Sequence, residues 1–216
     1  MNESTQTVFI VDDDASFLAT MSRWLRAFGY EVKSFTSAAD FLAQRTMEAG
    51  GCVVADLQMP GMDGMALQAA LAQSDNPLPV VFLTGQGDIS TSVHAMRSGA
   101  EDFLQKTASK EDLLAAIERA LKRELRERET RRRQHYLAQL FAKLTPRDNE
   151  VLSHVLLGKL NKQIAADLGI DERTVKRHRS SVMAKLDVNS MVELTRLTDE
   201  ARNHSAMPIH SNAVTP

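Results

Sequence analysis

Asp12, Asp13, Asp56, Thr84 and Lys106 are the residues of this chain best suited to carry chemistry. Each stands at, or just beyond, the C-terminal end of a short β-branched, apolar run: VFIVDD (8–13), CVVADL (52–57), VVFLT (80–84) and DFLQK (102–106). Three carboxylates supply hard oxygen ligands for a small cation, and Mg²⁺ uses one or two carboxylates together with waters and phosphate oxygens. Asp56 precedes LQMPGMDG, a tight loop that would leave its carboxylate exposed as a nucleophile. Aspartate is a competent phosphoryl acceptor, forming an aspartyl phosphate. A bound cation would offset repulsion between the incoming group and the acids. Lys106 and the Thr84 hydroxyl could each engage a phosphoryl oxygen, so that transfer rests on positioning and charge stabilisation. A single acid at a strand end is commonly solvated and a single Thr there is commonly a turn residue. The joint occurrence at four strand ends is what points to a site.

The elements that must position these groups alternate. The patterning predicts strands at 7–12, 31–35, 51–56, 79–84 and 101–105, and helices at 14–28, 37–45, 64–73, 88–98 and from 109 onward. Gly29, Gly50–Gly51 and Gly99 fall where helices should stop in a left-handed cap, and Pro77 and Pro79 bracket entry to the fourth strand. Strand–helix alternation builds an open parallel sheet with ligands at the carboxyl ends of its strands. Five such units in about 120 residues define a flavodoxin-like, doubly wound α/β domain.

The fifth helix does not stop with that domain. Neither Gly nor Pro occurs from Lys110 to Arg133, and Leu114, Ile117 and Leu121 continue an apolar stripe. The stripe fades into KRELRERETRRRQ, after which Leu137, Leu140, Phe141 and Leu144 restore an apolar face. This segment reads either as a solvated helical linker or as a signalling helix or short coiled coil, with too few heptads to choose. The resulting layout is a first domain at 6–122, a helical linker at 123–144, an all-α domain at 145–202 and a disordered tail at 203–216.

The chain has 216 residues, 43% hydrophobic and 25% charged, which suits two ordinary globular domains. Residues 1–7 are polar and uncharged apart from Glu3, and no apolar run approaches the ~18 residues of a membrane span. The single cysteine, Cys52, lies within an apolar strand and is expected as a buried thiol. A cytoplasmic location is expected. Residues 1–117 carry 7 Lys and Arg against 15 Asp and Glu, whereas residues 118–144 carry 9 against 4, so the acidic front and basic middle suit separate roles.

VDDD, DLQMPGMDG, LTG and DFLQK together closely resemble the receiver domain of bacterial response regulators, over roughly residues 6–122. The resemblance implies that Asp56 is the phosphoacceptor and that Asp12, Asp13 and Asp56 hold Mg²⁺ with the backbone carbonyl of Gln58. It further implies that Thr84 and Phe103 are conformational switch residues and that Lys106 binds the phosphoryl group. Asp14 is expected as a helix N-cap rather than a ligand. One residue departs from the pattern: Thr107 stands where the family usually has Pro, often after a cis bond. A non-proline cis bond costs ~3–4 kcal/mol, so a trans bond is expected here.

A second constellation lies in LNKQIAADLGIDERTVKRHRSSVMAKL. Ile164, Ala165 and Leu168 give one helix an apolar face, Gly169 permits a sharp turn, Asp171 can cap the next helix, and Val175, Val182 and Leu186 face inward. Helices are predicted at 147–157, 161–168, 172–186 and 190–201. Residues 172–185 hold five Lys and Arg against one acid, placing Arg173, Lys176, Arg177, Arg179 and Lys185 outward with His178 among them. Taken alone this is a solvated basic face; behind a helix-turn-helix outline it suits the major groove. Residues 145–201 resemble the four-helix output domain of the LuxR/NarL/FixJ class, through TPR, NKQIAADLGI and TVKRHRSSVMAKL. That resemblance implies base-edge contacts from Lys176 and Arg177. Phosphate contacts would come from Lys162, Arg173, Thr174, His178, Arg179 and Ser180. The helix at 190–201 would dimerise through Met191, Leu194 and Leu197.

The expected protein is therefore a response regulator of the NarL/FixJ type and not an enzyme. A sensor histidine kinase would phosphorylate Asp56, and the phosphorylated chain would form a homodimer on double-stranded operator DNA. The residues admit two rival readings. Asp12–Asp14–Ser16 can be scanned as the Asp-x-Asp-x-Ser pattern of haloacid-dehalogenase-like phosphatases, but that leaves Asp56 and the second module unexplained. A receiver acting only through protein contacts, with a degenerate DNA module, is the other.

Overall fold

The computed structural model describes residues 7–46, 49–85 and 89–203. The expected polar start of the chain at 1–6 and the expected disordered tail from 204 lie outside the described residues. The chain divides into two compact units, Met1–Arg128 and Glu129–Pro216.

In the first unit, strands β1 (Thr7–Val11), β2 (Glu31–Phe35), β3 (Gly51–Ala55), β4 (Val80–Thr84) and β5 (Asp102–Gln105) pair in parallel in the order β2-β1-β3-β4-β5. They alternate with α1 (Ala15–Ala27), α2 (Ala38–Gln44), α3 (Gly64–Ala72), α4 (Ile89–Arg97) and the start of α5 (Lys110–Phe141). Side chains alternate across each strand, so one run of residues feeds two cores. Phe9, Val11, Val53, Ala55 and Phe82 pack against Phe41, Leu67, Leu71 and Ala95 of α2, α3 and α4. Val8, Ile10, Cys52, Val54, Val81 and Leu83 pack instead against Leu18 and Leu25 of α1 and Leu113, Ile117 and Leu121 of α5. Burial on both faces explains why the strand sequences read as continuous apolar runs. Cys52 sits inside the second core, where burial raises its thiol pKa far above the ordinary value and leaves it inert.

The caps follow local chemistry with one exception. Asp14 accepts hydrogen bonds from the Ser16 and Phe17 amides and caps α1, as its acid next to the helix start leads one to expect. Gly50–Gly51 does not cap α2, which ends at Gln44 with Arg45 in an extended conformation. Gly51 instead opens β3, where an added Cβ would lie 2.0 Å from the Thr7 carbonyl oxygen. Gly51 serves the close approach of β1 and β3, a long-range demand that local reading could not separate from a helix stop.

The second unit is helical: α6 (Pro146–Leu156), α7 (Asn161–Leu168), α8 (Glu172–Lys185) and α9 (Met191–Asn203) follow the end of α5. Its core joins Val151, Leu152, Ile164, Val175, Val182 and Leu194 to Leu137, Leu140, Phe141 and Leu144. The stretch expected as a linker is thus shared between units: its last apolar residues are buried core of the second. Gly169, with φ of +62°, ends α7 in a left-handed cap and turns the chain toward α8.

Candidate functional site

Parallel register assembles the first site. Val11 lies level with Ala55 in the β1–β3 ladder, so the residues that follow, Asp12 and Asp56, emerge side by side at the carboxyl edge. The Asp56 amide donates to the Val11 carbonyl at 2.8 Å, which fixes that juxtaposition. Thr84 and Gln105 pair at the end of the β4–β5 ladder, and the Lys106 amide donates to the Thr84 carbonyl at 2.8 Å, aiming the next side chain at the acids. The reversal of strand order between β1 and β3 is where doubly wound sheets place their ligands.

Lys106 Nζ lies 2.6 Å from Asp12 Oδ2 and 3.1 Å from Asp56 Oδ2. The other oxygens are held by backbone: the Asp14 amide donates to Asp12 Oδ1 at 2.9 Å and the Leu57 amide to Asp56 Oδ1 at 2.7 Å. Asp12 is 1% exposed and Asp56 8%, whereas Asp13 is open to solvent. The Asp56 carboxylate is therefore not exposed in the way its loop suggested: the Lys106 ammonium meets one of its oxygens and the Leu57 amide the other. Burial raises the pKa of Asp12, with the charge of Asp56 acting in the same direction, although Lys106 opposes both. Burial alone would disfavour the charged Lys106, but its hydrogen bonds to Asp12 and Asp56 outweigh that, and its pKa is raised.

One carboxylate oxygen each from Asp12, Asp13 and Asp56 lies within 4.8 Å of the others. Two buried acids sharing a single ammonium, with the exposed Asp13 beside them, leave excess negative charge around hard oxygen donors, which suits a small divalent cation. Gln58, two residues beyond Asp56, is exposed at the same edge. Thr84 is 1% exposed at the end of β4. Phe103 is half-buried on β5, its ring 6.1 Å from that of Phe82. The Lys106–Thr107 peptide is trans, as the absence of proline led one to expect. Sequence reading missed Phe17, whose ring lies 4.6 Å from Lys106 Nζ and flanks the ammonium from α1. Its spacing on α1 marks it only as an apolar helix residue.

The second site is carried by α7 and α8. Asp171 caps α8, accepting from both the amide and the hydroxyl of Thr174 at 2.8 Å. Lys162, Arg173, Lys176, Arg177 and Ser180 are exposed; Thr174, His178 and Arg179 are half-buried. Lys185 does not join the outward basic face. It reaches inward, placing Nζ 2.6 Å from Asp148 Oδ2, while His178 Nδ1 meets Asp148 Oδ1 at 2.8 Å. His178 thus has one ring nitrogen committed to the protein, leaving Nε2 for any phosphate. Arg179 donates to Asn161 Oδ1 at 3.1 Å.

Asp148, 1% exposed, was not foreseen as a functional residue. It closes a capping box with Thr145 at the start of α6 and simultaneously grips α8. Burial works against its charge, but Lys185, His178 and the Thr145 amide outweigh that and hold its carboxyl well below the usual carboxylate range. The Thr-x-x-Asp spacing signals the cap, yet nothing local signals partners 30 and 37 residues away.

The expected dimer stripe on α9 requires correction. Leu194 is 1% exposed and Leu197 packs against the same core, so both serve the fold of their own chain. Met191 at 40% and Val192 at 79% are the exposed apolar residues of that helix. Amphipathic spacing identifies an apolar face but not which surface covers it.

The two halves of this architecture match two protein families. Residues 8–118 match the response regulator receiver domain, and residues 142–198 match the LuxR family of bacterial regulatory proteins. The response regulator protein TmoT of Ectopseudomonas mendocina is 39% identical over 94% of this chain and 92% of its own. The tetrathionate response regulatory protein TtrR of Salmonella typhimurium is 41% identical over 88% of this chain and 90% of its own. The solved structure of the response regulator StyR superposes with a TM-score of 0.85 at 45% identity, covering 91% of this chain and all of that one. The chain belongs to the NarL/FixJ family of two-component response regulators, which join a receiver to a LuxR-type helix-turn-helix domain. Such proteins are DNA-binding regulators of transcription rather than enzymes. Among the described residues no helix is long and apolar enough to cross a membrane.

Proposed function

We propose that a partner histidine kinase transfers a phosphoryl group to Asp56, and that this modification controls dimerisation and operator binding. The observation that carries the proposal is the single ammonium shared by two nearly buried carboxylates at the strand-order reversal. An Asp56 carboxylate oxygen attacks phosphorus, the new P–O bond forms as the P–N bond of the phosphoimidazole breaks, and the imidazole nitrogen recovers a proton. Mg²⁺, held by Asp12, Asp13, Asp56 and the Gln58 carbonyl, would neutralise charge on the phosphoryl oxygens. Lys106 moves its charge from carboxylate to phosphoryl oxygen, and the Thr84 hydroxyl donates to another. Chelation is expected to stop labelling of the chain by acetyl phosphate, read by intact-mass spectrometry. Undiminished labelling in excess chelator rejects the metal assignment.

Thr84 and Phe103 then report the modification to the face built by α4, β5 and the first half of α5. Val93 and Met96 of α4 are 44% and 46% exposed, which supports this face as the dimer contact. Moving from mostly one state to mostly the other requires a bias of ~5 kcal/mol. The active dimer works in the cytoplasm, on operator DNA.

On DNA, Lys176 and Arg177 read base edges, while Lys162, Arg173, Thr174, His178, Arg179 and Ser180 hold phosphates. Lys176→Ala or Arg177→Ala is expected to cost ~1–3 kcal/mol on the preferred sequence and to relax selectivity at one or two positions. Arg173→Ala is expected to weaken all sequences alike and to lower the salt slope by about one phosphate's worth. Binding-site selection followed by titration against salt measures both. An unchanged selected sequence in the Lys176→Ala and Arg177→Ala proteins removes α8 from base reading.

A further inference from the structure

Between α6, α8 and α9 lies a cavity of about 240 Å³ whose walls include Val151, Val155, Val182 and Leu194 with Met183 and Met191. Four of these are buried core residues, so the interior is apolar, and cavities so lined hold apolar guests rather than ordered water. Its volume is below the ~300–1,000 Å³ of drug-sized sites, which restricts a guest to about one substituted ring. Two methionine side chains on the wall favour an aromatic ring, through sulfur–ring contacts and their adaptable shape.

The cavity carries one cation, Arg179. Its guanidinium has five donors, yet it spends them on Asn161 Oδ1 at 3.1 Å and on the Met191 sulfur at 3.8 Å. Among the described residues no carboxylate pairs with it. Of the polar wall residues, Ser190 Oγ accepts from the Glu193 amide, and Asn189 donates its backbone amide to Glu193 Oε2; neither adds a charge to the cavity. An apolar chamber with an underused guanidinium on its lining is complementary to a molecule with one ring and one acid group.

We propose that this cavity binds a small aromatic monocarboxylate, its ring between Met183 and Met191 and its carboxylate on Arg179. Occupancy would draw Arg179 away from DNA, so such a ligand would antagonise operator binding; this consequence rests on the phosphate-contact role proposed for Arg179, whereas the site itself does not.

The test uses the full chain with methyl-¹³C methionine, assigning the signals with Met183→Leu and Met191→Leu, and titrates 4-ethylbenzoate against its uncharged counterpart ethylbenzene. The expected result is saturable shifts of both the Met183 and Met191 methyl signals, with 4-ethylbenzoate binding about tenfold more tightly than ethylbenzene. In Arg179→Gln that preference should vanish while ethylbenzene binding persists, which separates loss of the charge from loss of the fold. Absence of saturable shifts at both methionines, equal affinity of the two probes, or an undiminished preference in Arg179→Gln each overturns the proposal. Weakened DNA binding at saturating 4-ethylbenzoate supports the antagonism. Saturable binding with unchanged DNA affinity upholds the site and overturns the antagonism, removing Arg179 from the phosphate contacts.

Discussion

Asp56→Asn is expected to yield a folded chain that takes no phosphoryl label from acetyl phosphate or from a phosphorylated kinase. The amide is close in shape to the carboxylate, and its oxygen can still accept from the Leu57 amide, which donates at 2.7 Å in the parent. Lys106 keeps its shorter contact, 2.6 Å to Asp12, so the ammonium remains paired. Removing one of two neighbouring negative charges also relieves their repulsion, and for these reasons the change in stability should be small. Phosphoryl transfer, by contrast, loses its nucleophile, because an amide oxygen forms no stable acyl phosphate. Intact-mass measurement after incubation with acetyl phosphate and Mg²⁺ decides the matter, with thermal melting as the control for folding. A stoichiometric, acid-stable label on the folded variant would place the acceptor elsewhere.

The second large effect is expected at Asp148, far from any phosphoryl chemistry. Asp148→Ala removes a buried charge that accepts from Thr145, His178 and Lys185 at once. The cap is worth ~1 kcal/mol. Charge-assisted hydrogen bonds are worth ~1.5–3 kcal/mol each, but Lys185 and His178 are partly exposed and can turn to water, which reduces that contribution. A loss of ~2–4 kcal/mol is therefore expected. A helical unit of this size should then melt ~10 °C or more below the parent, at ~4–8 °C per kcal/mol, with the receiver transition unmoved. Calorimetry of the full chain resolves the two transitions, and a second-unit transition within a degree or two of the parent would refute the expectation.

The same carboxylate gives acid sensitivity a definite direction. Its folded pKa is depressed, so its contribution is complete above the ordinary carboxylate value of ~3.9 and is lost as pH falls toward the folded value. The parent should lose second-unit stability as pH falls below ~4 more steeply than Asp148→Ala does. Equal slopes would show that other carboxylates dominate acid unfolding.

Much of this is legible in the amino-acid sequence. Strand–helix alternation, with β-branched runs ending in acid, hydroxyl or ammonium, fixed the order of elements and named Asp12, Asp13, Asp56, Thr84 and Lys106 as groups that would meet. Those properties are local: a period of two or 3.6 residues, a cap within three residues, a turn that needs glycine. The parallel sheet then converts position along each strand into position at one edge, so a short pattern stands for a three-dimensional site.

What the pattern could not carry was partnership between residues far apart in the chain. Gly51 looked like a helix stop because only β1, brought alongside it, requires a residue without a Cβ there. Lys185 looked like one more outward cation, since its spacing on α8 does not disclose that Asp148 lies beneath it. Leu194 looked like a dimer contact because an apolar stripe has the same spacing whether a second chain or its own core covers it. The covering of the Asp56 carboxylate was likewise set by Lys106, which stands 50 residues further along the chain and meets it only in the folded sheet. Periodicity is a property of one element, whereas burial and ion pairing belong to pairs of elements, and only the folded chain brings those pairs together.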